Sequence, residues 1–122
     1  MFSAAGGASA MEKLLAQAPD VDAVFIASDL MALGAMQTLR RLGKRVPDDV
    51  AIVGFDDIEL GANASTPLTT IRQETGMQGR MLVRLLIRLL GRTPDLGKAA
   101  RASLPPGPSM RLPVSLVTRA SA

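Results

Sequence analysis

Val50-Ala51-Ile52-Val53-Gly54-Phe55-Asp56-Asp57 is a short apolar run that stops abruptly at two carboxylates. The run is too short for a helix and rich in β-branched residues, so it reads as a buried strand. Asp56 and Asp57 then stand at the strand's C-terminal end. In an open α/β sheet that edge is where ligands bind.

Upstream, Ala23–Ala27 (Ala-Val-Phe-Ile-Ala) forms a second short apolar strand. Between the two, Leu30-Met31-Ala32-Leu33-Gly34-Ala35-Met36 opens a helix that runs to Leu42. Gly43 suits the position just past its end, and Arg40 and Arg41 favour the negative helix terminus. Two apolar strands joined by a helix predict a βαβ unit, hence a parallel sheet with a right-handed crossover. Nearer the start, Ser9 and Glu12 have the spacing of a capping box. They predict a helix over about residues 10–17, with Met11, Leu14, Leu15 and Ala18 on its apolar face and Pro19 ending it.

Downstream, Lys44–Asp49 is a turn containing Pro47, and Ile58–Pro67 reads as an irregular polar loop. Leu68–Ile71 is a short β-prone segment. A helix is expected over about 74–90, apolar on most of its circumference, with Arg80, Arg84 and Arg88 as its polar stripe and Gly91 as its stop. The segment 92–110 is rich in Pro, Gly and Ala and reads as a mobile loop. Arg111–Arg119 alternates enough for a terminal strand, placed at an edge or strand start by Pro113.

Composition removes several functions. The 122 residues contain no Cys, His, Trp or Tyr. Without Cys there is no disulfide framework, thiol nucleophile or cysteine-type zinc site. Without His a Ser-His-Asp triad is impossible. Three Phe supply little surface for base stacking. Residues 1–60 hold five Lys/Arg and nine Asp/Glu, a charge of −4; residues 61–122 hold nine and two, a charge of +7. The arginines of the basic half are spread over a helix face and a loose tail rather than one patch. No window approaches the ~20 apolar residues of a membrane span, and residues 1–10 lack the features of a signal peptide.

Three carboxylates carry the chemistry. Asp29 lies between strand and helix, where it reads as an N-cap; Ser9 is the other. Asp56 and Asp57 have no helical pattern behind them, so capping explains them less well. Neighbouring residues on an extended backbone point opposite ways. Asp56 is therefore the ligand candidate, able to accept hydrogen bonds from sugar hydroxyls or a base N–H, and Asp57 is the turn residue. A Mg²⁺-dependent enzyme using Asp29, Asp56 and Asp57 is an alternative, but no lysine closes either strand and no glycine-rich phosphate loop occurs. No resident cofactor is expected.

Three segments together resemble the lactose/galactose-repressor (LacI/GalR) family of bacterial transcription regulators. They are Ser28–Ala35, Val46–Asp57 and Pro67–Gln73, in matching order and spacing. The resemblance runs from about residue 8 to 91, and Leu112–Arg119 is similar to the family's terminal strand. It implies an α/β fold of the periplasmic-binding-protein-like type, here a partial parallel-sheet sandwich. Residues 1–73 would be part of the C-terminal subdomain, 74–91 a crossover helix resembling part of the N-terminal one, 92–110 a loop and 111–122 a returning strand.

By the same resemblance the chain is the effector-binding and dimerisation portion of a cytoplasmic repressor, and not an enzyme. The DNA-reading headpiece that meets the operator would lie outside it. Asp56, Ser28 and Gln73 would contact a small polar effector, such as a sugar. Leu33, Gln37, Leu60, Asn63 and Ala64 would lie at a dimer face. A periplasmic sugar-binding transport protein shares this fold and is the second reading. The strand at 23–27 would normally have a neighbour that this chain lacks, so the chain is expected to be ordered by self-association or within a larger assembly.

Overall fold

A computed structural model describes residues 2–90, 109 and 111–122. In chain order the elements are α1 (Ala4–Gln17), β1 (Ala23–Phe25), α2 (Asp29–Arg41), β2 (Ala51–Phe55), α3 (Glu59–Ala62), β3 (Thr69–Gln73), α4 (Thr75–Leu89) and β4 (Val114–Val117). The sheet order is β1-β2-β3-β4. β1 and β2 pair in parallel, with Val24 opposite Ile52, as do β2 and β3, with Gly54 opposite Thr70. The expected α/β class and parallel βαβ unit are therefore present. The expected mobile loop lies outside the described residues except for its 109 position.

The chain divides into two compact units, residues 1–72 with 115–122, and residues 73–114. The core of the first contains Met11, Ala32, Ala35, Leu39, Val50, Ile52 and Leu68. These residues come from α1, α2 and β2 and from the residues next to β2 and β3, so burying them closes helices onto one face of the sheet.

The first helix begins earlier than the capping box predicts. Ser3, not Ser9, is its N-cap, with Oγ accepting from the Gly6 amide at 3.0 Å. Ser9 lies inside the helix. Gly6 and Gly7 disfavour a helix by about 1 kcal/mol each relative to alanine, but packing overrides them. A β-carbon on Gly7 would stand 2.0 Å from the Met31 carbonyl oxygen, and one on Gly34 would stand 1.8 Å from that of Ala4. These two glycines let α1 and α2 approach backbone to backbone. Thr38 Oγ1, buried at the same crossing, donates to the Ala8 carbonyl at 3.3 Å.

Three other expectations shift. The strand expected over 23–27 shortens to Ala23–Phe25, although the Ile26 amide still donates to Val53 O at 2.8 Å. The expected loop 58–67 contains the one-turn helix α3. The terminal strand contracts to Val114–Val117.

In the second unit, α4 buries only Leu85, while Leu82, Val83, Leu86 and Leu89 are exposed. A cavity of about 390 Å³ is lined there by residues including Gln73, Gln78, Met81, Leu85 and Pro113. Among the described residues no helix is long and apolar enough to cross a membrane.

Candidate functional site

The parallel ladder sets the C-terminal ends of β1 and β2 side by side. Ser28 follows β1, and Asp56 and Asp57 follow β2. The three carboxylates singled out from the sequence have three different environments.

Asp29 is not an N-cap. It is the first residue of α2, fully buried, and Ser28 occupies the cap position without a side-chain cap bond. Its Oδ1 accepts from Thr70 Oγ1 at 2.6 Å and its Oδ2 from the Ile58 amide at 3.0 Å. Asp29 thus ties α2 to β3 and to the segment leaving β2. Charged groups are buried only when their hydrogen bonds are made, and here Gly54 opposite provides the room.

Asp57 is more than a turn residue. Its Oδ2 accepts from Arg72 Nε at 2.5 Å and its Oδ1 from Arg119 Nη2 at 2.6 Å. Hydrogen bonding from Arg119, then from Arg72, holds its carboxyl below the usual carboxylate range. Arg119 also donates through Nη1 to Leu68 O at 2.8 Å. The ion triad clamps the exit of β2 to β3 and to the C-terminal segment.

Asp56 is the exposed member. Its amide donates to Ile71 O at 2.9 Å, which pins its backbone to β3. Its φ of 117° and the 57° of Asp57 are both positive. The value at Asp57 suits the left-handed region that aspartate tolerates. The value at Asp56 lies in a sparsely populated region that costs about 1–3 kcal/mol and is found at ligand clamps and active sites. The triad and the Ile71 bond hold Asp56 in that conformation.

Among the described residues no three His, Cys, Asp or Glu side chains gather as a metal site. Asp29 and Asp57 are each occupied by protein donors, so the Mg²⁺ arrangement drawn from the sequence does not assemble. Ser28 is half-buried at its strand end, and Gln73 ends β3 and lines the second unit's cavity. Leu33, Gln37, Leu60, Asn63 and Ala64 share one surface groove of about 300 Å³ with Leu30 and Arg40. Leu60 is 62% exposed in it.

Several contributors had no signal in the sequence. Ser121 is fully buried; its Oγ donates to Ile52 O at 2.6 Å and accepts from the Thr69 amide at 2.8 Å. Its carbonyl accepts from the Ile52 amide at 2.7 Å. Ser121 therefore bridges β2 and β3 where their ladder opens. It and Arg119 lie more than 45 residues from their partners, and no local spacing connects them.

A strand end bearing one pinned, exposed carboxylate, on a parallel sheet packed against helices, is the geometry of a ligand-binding α/β domain. The chain belongs to the periplasmic binding protein-like domain family, which matches residues 2–122. Its relatives are helix-turn-helix regulators, as the resemblance implied. It is 50% identical over 95 residues to the HTH-type transcriptional regulator CelR of Thermobifida fusca, covering 77% of this chain and 28% of CelR. The solved transcriptional regulator CelR–cellobiose complex is similar at a TM-score of 0.81 and 41% identity, covering 99% of this chain and 34% of that one. The lac repressor dimer bound to operator and an anti-inducer matches at 0.77 and 34%, covering 98% and 38%. The chain thus spans well under half the length of these regulators.

Proposed function

We propose that this chain is the effector-binding and self-association portion of a cytoplasmic bacterial transcriptional repressor, and that its effector is a sugar of the cellobiose class. The observation that carries this reading is the similarity to the CelR–cellobiose complex over 99% of the chain. The state of Asp56 supports it. A solvent-exposed carboxylate on a pinned backbone has the chemistry to accept two hydrogen bonds from vicinal sugar hydroxyls. Ser28 at the end of β1 and Gln73 at the end of β3 are proposed as further polar contacts. The groove containing Leu33 and Leu60 is proposed as the dimer face. Operator reading is assigned to a headpiece outside this chain, and no enzymatic step is assigned to it.

Sugar binding would shift the equilibrium between DNA-competent and DNA-released states by its differential affinity for them. The test is a chimera in which this chain replaces the matching segment of Thermobifida fusca CelR. The chimera is expected to bind its cognate DNA and to release it on adding cellobiose. Asp56→Ala should abolish release and leave DNA binding intact. A folded, DNA-binding chimera that no disaccharide releases would overturn the reading, as would full release with Asp56→Ala.

A further inference from the structure

We infer that Arg119 is a positioning residue for the effector: acting through Asp57, it fixes the direction in which the Asp56 carboxylate meets a sugar. The inference rests on the proposed role of Asp56 and adds to the site a residue 62 positions from Asp57. Asp56 and Asp57 have φ values of 117° and 57°. A side chain at the first value relaxes to an ordinary conformation unless its surroundings over-determine it. Two backbone bonds bracket the pair. The Asp56 amide donates to Ile71 O at 2.9 Å, and the Ile58 amide donates to Asp29 Oδ2 at 3.0 Å. Between them the Asp57 carboxylate is a third attachment, held by Arg119 Nη2 at 2.6 Å and Arg72 Nε at 2.5 Å. Freeing that carboxylate leaves the strained pair room to relax, and the Asp56 side chain turns with the backbone.

The two arginines differ in what they can fix. The Arg119 side chain is 18% exposed and that of Arg72 48%. Arg119 is fastened to the start of β3. Its amide donates to Thr69 Oγ1 at 2.9 Å and its Nη1 to Leu68 O at 2.8 Å, and the Ala120 amide donates to Pro67 O at 3.0 Å. Leu68 is fully buried, so its carbonyl is a fixed point. One planar guanidinium therefore spans Leu68 O and Asp57 Oδ1, a strut from the start of β3 to the exit of β2. A rigid fork sets both distance and direction, whereas a lysine ammonium is a point charge on a flexible stem. Arg72 reaches the same carboxylate from the exposed side and neutralises more than it positions. Asp56, Asp57, Leu68 and Arg119 all belong to the first compact unit, so the strut is complete within that unit.

The measurement is the concentration of cellobiose, or of whichever disaccharide releases the unsubstituted CelR chimera, that gives half-maximal release of DNA. DNA affinity without sugar is measured alongside. Arg119→Met keeps the bulk of the side chain and deletes the fork. It is expected to raise the half-release concentration by about tenfold or more and to leave DNA affinity unchanged. Arg119→Lys restores the charge without the fork and should not rescue release, and Arg72→Met should raise the concentration by less than Arg119→Met. Ser121→Ala loosens the same C-terminal segment without touching Asp57 and should leave the half-release concentration in place, which separates positioning from a merely structural role. Asp57→Asn should act like Arg119→Met and stands in if that variant does not fold. An unchanged half-release concentration in folded Arg119→Met or Asp57→Asn, full rescue by Arg119→Lys, or an equal shift in Ser121→Ala would overturn the inference while the sugar reading stands. A chimera that no disaccharide releases even without substitution would remove the sugar reading and this inference with it.

Discussion

Gly54 faces the Asp29 carboxylate so closely that a β-carbon there would stand 2.1 Å from Oδ1 and 2.9 Å from Leu68 Cδ2. The glycine of β2 is the recess into which the first residue of α2 fits. Asp29 in turn holds Thr70 of β3 and the Ile58 amide just past Asp57. The candidate ligand edge therefore rests on a buried carboxylate one layer beneath it.

Gly54→Ala should destabilise the chain by about 2–3 kcal/mol, because overpacking a filled core costs about 1–3 kcal/mol and moving Asp29 strains two buried hydrogen bonds. Gly61→Ala is the control: its nearest neighbour would be Leu68 Cδ2 at 3.4 Å, an ordinary contact. Urea unfolding should separate the two variants clearly. Equal midpoints would show that the recess is not tight.

The strand that ends at Asp56 was legible in the sequence because its pattern is local, an apolar β-branched run cut off by charge. So were α2 with its arginine-rich end and the parallel arrangement that follows from βαβ. The failures share a physical cause. The Ser9/Glu12 spacing set the start of α1 too late: the close approach of α2 requires a glycine at position 7, and α1 extends back to Ala4. Asp29 read as a cap because its partners, Thr70 and Ile58, are 41 and 29 residues away. At the site, the choice of Asp56 over Asp57 rested on alternation along an extended backbone. The structure instead separates them by positive φ at both and by two distant arginines on Asp57.

Ser121→Ala should cost about 1–3 kcal/mol, since it leaves the buried Thr69 N–H and Ile52 C=O without their hydroxyl partner. The loss should be local first. Hydrogen exchange at Thr69 should accelerate by more than at Leu39, whose helical amide does not depend on the C-terminal segment. Uniform acceleration would mean that Ser121 acts only on global stability.

Stability should fall on acidification below about pH 4. The folded Asp57 carboxyl lies below its ordinary range because Arg119 and Arg72 bond its charged form. A depressed carboxyl pKa stabilises the fold above the unfolded value, and that contribution disappears as pH drops through the folded one. Asp49, drawn down to about 2 by hydrogen bonding from the Arg45 side chain, titrates in the same direction at the Lys44–Asp49 turn. Asp57→Asn should flatten the slope of stability against pH in this window and lower stability at pH 7. An unchanged slope would assign acid sensitivity elsewhere.

Asp56 and its neighbour should separate under substitution. Asp56→Gly removes the penalty of a β-carbon at φ 117°. Strain of about 1–3 kcal/mol is relieved, against about 0.5–1 kcal/mol for the greater freedom of unfolded glycine. The variant should be about 1 kcal/mol more stable than the parent by urea unfolding. In the CelR chimera it should lose release by cellobiose, because the carboxylate is gone while the fold is firmer. Asp57→Ala should do the reverse on the first measure, losing stability as Arg72 and Arg119 lose their shared partner. A destabilised Asp56→Gly that still responds to sugar would mean that the strained backbone at Asp56 serves the fold rather than the ligand.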